Sequence, residues 1–370
     1  MRPPQQPDRV PVMCQLTLGH YFLNTGLPAP EIWHDSDVFA CALVMLQRRY
    51  GFDGILVNLP GRDPAWRDAI ADIEERDGRT RIRWREGAVT VVPRDDNPRV
   101  VGEDGHKRQS PALADLDPRR LFYVEPHDRL GVAMQSEFPA WQFDTLARVR
   151  ALAPDVSLHG EVFSPFSQLI ELLGPAEAML ALVDNPEKVK TCLECLVEGA
   201  AVLGTGSIGA GADALLISSA YAGAGFISRG HYEEFVLPFE SRVIARIKAD
   251  VAGAIVYTHT CGAIGDRLDL MERSGTDGID TLDPPPLGTV DLADARRRLS
   301  ARVFIKGNID PVNTALRGTP DDCTRDALER LAVAGPGGYI LSTACSISPH
   351  TPPENIEAIA RAARESACAV

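Results

Sequence analysis

Hydrophobic and polar positions follow two textures along this chain. From residue 138 onward, short apolar runs recur at 156–158, 214–218, 254–258, 278–282, 303–306 and 339–342. Each has the length and flanking turn residues of a buried strand. Stretches of helical spacing separate them, at about 141–152, 166–173, 176–183, 186–203, 232–249, 264–273, 291–299, 321–333 and 353–367. Strands alternating with helices predict a parallel sheet covered by helices. Earlier in the chain, 36–49 reads as a helix with Asp35 or Ser36 as N-cap, and 54–59 as a seventh buried strand. An eighth comes from 123–124 or from a segment the pattern does not mark. Count and length predict an α/β fold, a (β/α)8 TIM barrel with an N-terminal extension, with residues 1–370 as one domain. No Gly-x-Gly-x-x-Gly opens a helix after the first strand, which argues against a dinucleotide fold. Residues 204–209 match that pattern by letters, but they follow a helix and precede a strand.

The stretch 62–106 has the second texture, in which charges are dense. Arg81-Ile82-Arg83-Trp84-Arg85 and Ala88-Val89-Thr90-Val91-Val92 flank Glu86-Gly87, the signal of a β-hairpin around a two-residue turn. This segment reads as an exposed β-hairpin insertion on the barrel.

Composition narrows the partners. With 38 Lys+Arg against 51 Asp+Glu, the net charge is −13, and such a chain repels a phosphate backbone. Nucleic acid is therefore not an expected partner. No stretch reads as the roughly 20 apolar residues of a membrane span, and Met1-Arg2-Pro3-Pro4-Gln5-Gln6-Pro7 lacks the apolar core of a signal peptide. Eight cysteines in 370 residues are too dilute for a disulfide scaffold, so a reducing cytoplasm is expected. Cys192 and Cys195 form a C-x-x-C inside a helical run rather than at a helix start, and they read as packing thiols.

Barrel enzymes carry their reacting groups where strands end. His259-Thr260-Cys261-Gly262 follows one strand, and residues two apart on an extended end point the same way, so His259 and Cys261 can share one ion. Thr343-Ala344-Cys345 ends the last strand and supplies a second thiol. Three soft ligands with an open position are the pattern of catalytic zinc. Asp283, with Asp280 beside it, is a fourth candidate ligand. Glu161 follows the 156–158 run and is a candidate acid, base or ligand, or else a helix-capping carboxylate. Ser218 and Tyr221 follow the 214–217 run and are candidates to line a substrate pocket. His34, His127 and His350 have no spacing partner and read as surface or loop residues.

Gly307-Asn308-Ile309-Asp310-Pro311, Gly318-Thr319-Pro320, the run from Gly337 to Cys345, Gly211-Ala212-Asp213-Ala214 and Ser164-Pro165-Phe166 together resemble the uroporphyrinogen decarboxylase superfamily. Within it, His259-Thr260-Cys261-Gly262 and Cys345 resemble the zinc-dependent, corrinoid-linked methyltransferase branch, which includes methylcobalamin:coenzyme M methyltransferases and O-demethylases. The resemblance spans about 35–365. It implies a (β/α)8 barrel with Zn2+ on His259, Cys261 and Cys345, and a homodimer. It also implies that Asn308 lies at the substrate site, and that His20 and Tyr21 belong to the segment reaching the barrel mouth.

Two departures refine the expectation. The true decarboxylases carry an Arg-rich N-terminal segment that grips a polycarboxylate substrate, whereas here the stretch reads Gln15-Leu16-Thr17-Leu18-Gly19-His20-Tyr21-Phe22. A polyanionic tetrapyrrole would bind poorly without those cations. The Asp104-Gly105-His106-Lys107-Arg108-Gln109 stretch is an incomplete corrinoid motif, so methylcobalamin or another corrinoid is expected on a separate partner protein. Zinc coordination would deprotonate a thiol and hold the nucleophile, or act as Lewis acid on a methoxy oxygen. The leading expectation is therefore a cytoplasmic zinc-dependent methyltransferase. It would move a methyl group between a small methyl donor or thiol acceptor and that corrinoid. The alternatives are a metal-independent lyase decarboxylating a smaller substrate, and a non-catalytic binding protein stabilised by zinc.

Overall fold

In the computed structural model, residues 9–106, 110–335 and 337–367 are described, which leaves the polar lead 1–7 and the Lys107-Arg108-Gln109 end of the corrinoid-type motif outside. Thirteen strands follow one another along the described residues. They are β1 (Gly54–Val57), β2 (Ile70–Arg76), β3 (Arg79–Trp84), β4 (Val89–Val92), β5 (Arg99–Val101), β6 (Tyr123–Asp128) and β7 (Gly131–Gln135). After these come β8 (Ser157–Phe163), β9 (Ala214–Ser218), β10 (Ile255–His259), β11 (Gly278–Thr281), β12 (Phe304–Ile309) and β13 (Tyr339–Thr343).

The mostly buried strands make the barrel. β1, β8, β9, β10, β11, β12 and β13 are neighbours in that order, every pair parallel. The fold is a TIM barrel, and its eighth position is neither a long strand nor 123–124. The Met13 amide donates to Leu341 O of β13, while the Asp53 amide, just before β1, donates to Val12 O. The segment around Val12 to Leu16 thus bridges the two sheet edges, pairing in parallel with Leu341 and Ile347. Tyr123 instead starts β6, which pairs only with β7 in a separate antiparallel hairpin.

The charged stretch forms a four-stranded antiparallel sheet in the order β2-β3-β4-β5, a larger structure than one hairpin. The expected turn is there: Gly87 takes the left-handed conformation at φ 83°, open to glycine at no steric cost, and the Trp84 amide bonds to Ala88 O. The strand around Glu161 is longer than its apolar run suggested, because Gly160 and Glu161 continue the ladder against β9.

Helices cover the barrel. Asp35 caps Ser36–Tyr50 by accepting from the Asp37 and Val38 amides, an arrangement worth about 1 kcal/mol. The helix expected at 232–249 is two helices, Arg229–Phe235 and Leu237–Asp250. Pro238 sits in the first turn of the second, where its missing N–H costs nothing. Pro186–Gly209 runs through the Gly204–Gly209 pattern, and both Cys192 and Cys195 lie inside it. This helix is 24 residues long and its most apolar 18-residue window has a mean hydropathy of 1.3, so by length and composition it could cross a membrane, contrary to the reading from the sequence. Half of its most apolar window is buried, and it packs against β8 and the helix Leu237–Asp250.

Candidate metal centre at the barrel mouth

The register of the parallel strands builds this site. His259 on β10 is level with Asp280 on β11, and Asp280 is level with Lys306 on β12. Side chains at one level of adjacent strands share a face, so the three line up across the barrel. Asp280 Oδ2 lies 3.1 Å from His259 Nδ1, and Lys306 Nζ donates to Asp280 Oδ1 at 2.8 Å. All three are buried. The Thr281 hydroxyl lies 2.9 Å from the same His259 nitrogen.

The other ring nitrogen faces the thiols. His259 Nε2 lies 3.2 Å from Cys261 Sγ, which is 3.7 Å from Cys345 Sγ. One donor atom from each of the three residues falls within 4.8 Å of the others. Two thiols and an imidazole converging so closely are the donor set of zinc, and the side chains present fit that ion. Asp280 on the far nitrogen completes a carboxylate–histidine arrangement that fixes which nitrogen faces the donor set. Burial opposes charge on His259, but Asp280 and Cys345 outweigh it and raise the imidazole to about 10. Beside it, the hydrogen bond from Cys261 drives Cys345 well below the usual thiol range, while that same contact and burial push Cys261 up.

Just past β11 the backbone is strained. Thr281 sits at φ 88° and Leu282 at φ 55°, the left-handed region that a β-branched residue rarely enters. The Asn308 side-chain amide donates to Leu282 O at 2.8 Å and so pins this turn, while Asn308 Oδ1 is buried without a hydrogen-bond partner. Asp283 emerges from the turn, accepts the Gly262 amide at 2.6 Å, and is raised by burial to about 6. Its carboxylate braces the loop carrying Cys261 and stands outside the close set of three donors.

The remaining sequence candidates divide. Glu161 lies inside β8, raised above the usual carboxylate range by burial, with the Ser218 hydroxyl beside it and His259 and Cys345 within electrostatic reach. Tyr221 donates to Glu171 at 2.6 Å and packs edge-on against Phe226. His20 and Tyr21 are not brought to the site. His20 is buried, with Nδ1 against Pro349 O and Nε2 against the Tyr50 hydroxyl, and burial lowers it to about 4. Tyr21 packs edge-on against Phe39 in the core. Two histidines read as surface or loop residues are drawn into packing: buried His34 stacks on Trp66, and half-buried His127 packs against Trp33 and Phe163. His350 is exposed, paired with Asp95. Sequence reasoning did not single out Lys306 or Thr281, because their significance depends on the neighbouring strand's register.

The family model described as "Uroporphyrinogen decarboxylase (URO-D)" matches residues 119–366. The chain belongs to the uroporphyrinogen decarboxylase family. Among curated members of that family, a uroporphyrinogen decarboxylase from Dechloromonas aromatica is 27% identical over 70% of this chain and 71% of its own length. One from Trichodesmium erythraeum is 31% identical over 49% of this chain and 48% of its own length, so that match spans about half of the relative. Among solved structures, a methyltransferase from Methanosarcina mazei superposes with TM-score 0.71 over 97% of this chain and 95% of its own, at 18% identity. A B12-independent methionine synthase from Shewanella reaches 0.51 over 90% and 89%, at 12% identity. These likenesses speak for the shared fold. The family match begins at residue 119, so the antiparallel sheet β2–β5 lies outside it.

Proposed function

We propose that this member of the uroporphyrinogen decarboxylase family is a zinc-dependent methyltransferase. It would act in the cytoplasm between a small methyl donor or thiol acceptor and a corrinoid carried by a partner protein. The observation that carries the reading is the convergence of His259, Cys261 and Cys345 at the barrel mouth. Zn2+ held by these three would supply a Lewis acid that deprotonates a thiol or polarises a methoxy oxygen. Asp280 orients the imidazole, and Lys306 holds Asp280 ionised against the cost of burial. Glu161, raised above the ordinary carboxylate range by burial, is placed to take or give the proton that either direction of transfer requires. Asn308 and Asp283 fix the loops that carry the donors.

The relatives named as decarboxylases support a second reading, a lyase acting on a smaller carboxylated substrate without a metal. Against a porphyrin substrate stands the segment 15–22, which contains no Arg or Lys. The test is the metal content of the full chain purified without added metal, compared with Cys261→Ala. The proposal expects about one zinc per chain, lost in the variant. An absence of zinc in both proteins, with chelator-resistant decarboxylation, would overturn it in favour of the lyase.

A further inference from the structure

Two cavities meet at one buried carboxylate. The inner one, about 30 Å³, has room for one or two water molecules and is lined by Glu161, Asn58, His127, Ser207 and Glu125 among others. The outer one, about 470 Å³, is lined by Arg62, Asp128, Gln135 and again Glu125, and its rim includes the exposed Glu137. Glu125, on β6, is 4% exposed and forms a wall of both. One of its oxygens accepts the His127 amide at 2.9 Å. His127, which lines the inner cavity, has its Nδ1 buried 3.8 Å from Glu125 Oε1 and without a hydrogen-bond partner among the described residues, which suits an ordered water there.

We propose that Glu125 is a proton-relay residue connecting solvent in the outer cavity to Glu161 at the barrel mouth. The inference takes the mouth to be the active site, as argued above, and does not depend on which metal or substrate occupies it. In the relay, the Glu125 carboxyl O–H gives its proton to a water in the inner cavity. That water passes one of its own protons to the Glu161 carboxylate, and the Glu125 carboxylate recovers a proton from water in the outer cavity. The reverse sequence exports a proton, as when a thiol is deprotonated at the mouth. The groups facing Glu125 are Arg62, which favours its ionisation, Asp128 and Glu161, which oppose it, and the uncharged His127 and Tyr123. Burial outweighs Arg62 and lifts Glu125 to about 7, so both protonation states are accessible at neutral pH.

The experiment is rapid mixing of the full-length protein from H2O into D2O, at a pH chosen low enough for the Glu161 carboxyl band to be present. Infrared detection follows the carboxyl C=O stretch, with the Glu161 band assigned by its loss in Glu161→Gln. In the unaltered chain the Glu161 band should shift within the mixing time. In Glu125→Gln, which still accepts the His127 amide, the shift should slow at least tenfold while the thermal midpoint holds. Glu125→Asp should restore exchange to within a few-fold, a rescue that a merely structural role would not produce. A Glu161 band that exchanges at the original rate in Glu125→Gln would overturn the relay. So would equal slowing in Glu125→Asp and Glu125→Gln. None of these readouts requires zinc or turnover, so a failure of the metal assignment would appear separately, in the metal analysis.

Discussion

Replacing Asp280 by Asn separates two roles that one carboxylate performs. Asp280 and Lys306 are 1% and 2% exposed, and the ammonium's only hydrogen bond among the described residues is the 2.8 Å contact to Asp280. Asparagine leaves that charge buried without a counterion, a change that costs about 3–5 kcal/mol. At about 2.1 cal/mol/K per residue of unfolding entropy over 370 residues, this lowers the melting temperature by about 4–6 °C. The same substitution removes the anionic partner of His259 Nδ1, which should weaken metal binding about 10–100-fold. Lys306→Met in the same chain removes the stranded charge. The double variant should therefore recover most of the lost stability while its metal affinity stays low. Scanning calorimetry of the metal-free proteins reads the first quantity, and competition with a chromophoric zinc chelator reads the second. If the double variant melts no higher than Asp280→Asn, the ion pair is not what the single change breaks. If Asp280→Asn binds zinc as tightly as the unaltered chain, the orienting role of Asp280 is refuted.

Two further outcomes rest on other parts of the barrel. Glu240 is buried and accepts from the Ser219 and Tyr232 hydroxyls; burial nonetheless lifts it from 4.5 to about 7. Between those values the native state keeps a proton that the unfolded chain has lost, so stability falls as pH rises, by about 3 kcal/mol in all. Glu240→Gln should make the pH 5–8 dependence of urea midpoints shallower, leaving the shares of Glu125, Asp283 and the shifted histidines, and an unchanged slope would count against the assignment. Gly199 lies within Pro186–Gly209, where an added Cβ would fall 1.9 Å from Phe122 O. Gly199→Ala should destabilise by about 1–3 kcal/mol, outweighing the gain of up to about 1 kcal/mol in helix propensity, and a more stable variant in urea titration would refute this packing.

Features governed by local pattern were legible in the chain. The strands after residue 138 bury both faces, so they read as continuous apolar runs, and their ends marked His259, Cys261 and Cys345 in advance. Features governed by distant neighbours were not legible. The barrel-closing segment contains Pro11 and makes only isolated bridges, so no strand pattern announces it. Lys306 looks like an ordinary strand lysine until register places it beside Asp280. His34 is buried and His127 half-buried because they pack with Trp33, Trp66 and Trp84, an aromatic cluster assembled from separated stretches. Asn308 resembled a substrate contact in its motif, yet its amide is committed to the strained turn at Leu282.

The N-terminal segment explains why membership of this family does not settle the substrate. A segment that delivers cations to the mouth must carry Arg or Lys, whereas residues 15–22, whose backbone helps close the barrel, contain neither. The Gln15 carbonyl accepts the Ile347 amide, the Thr17 amide bonds back to Ile347 O, and His20 is fixed between Pro349 and Tyr50. Arg9, the nearest described cation upstream, forms a two-pronged pair with Asp53 at the foot of β1, the opposite end of the strand from the mouth. Charge at the mouth is instead arranged around two thiols and an imidazole, with Lys306 neutralised by Asp280. A polycarboxylate placed there would find Glu161 and Asp283 close by and no Arg or Lys from residues 15–22. That contrast is the electrostatic ground on which methyl transfer involving a small neutral donor or a thiol is proposed ahead of decarboxylation of a polyanion.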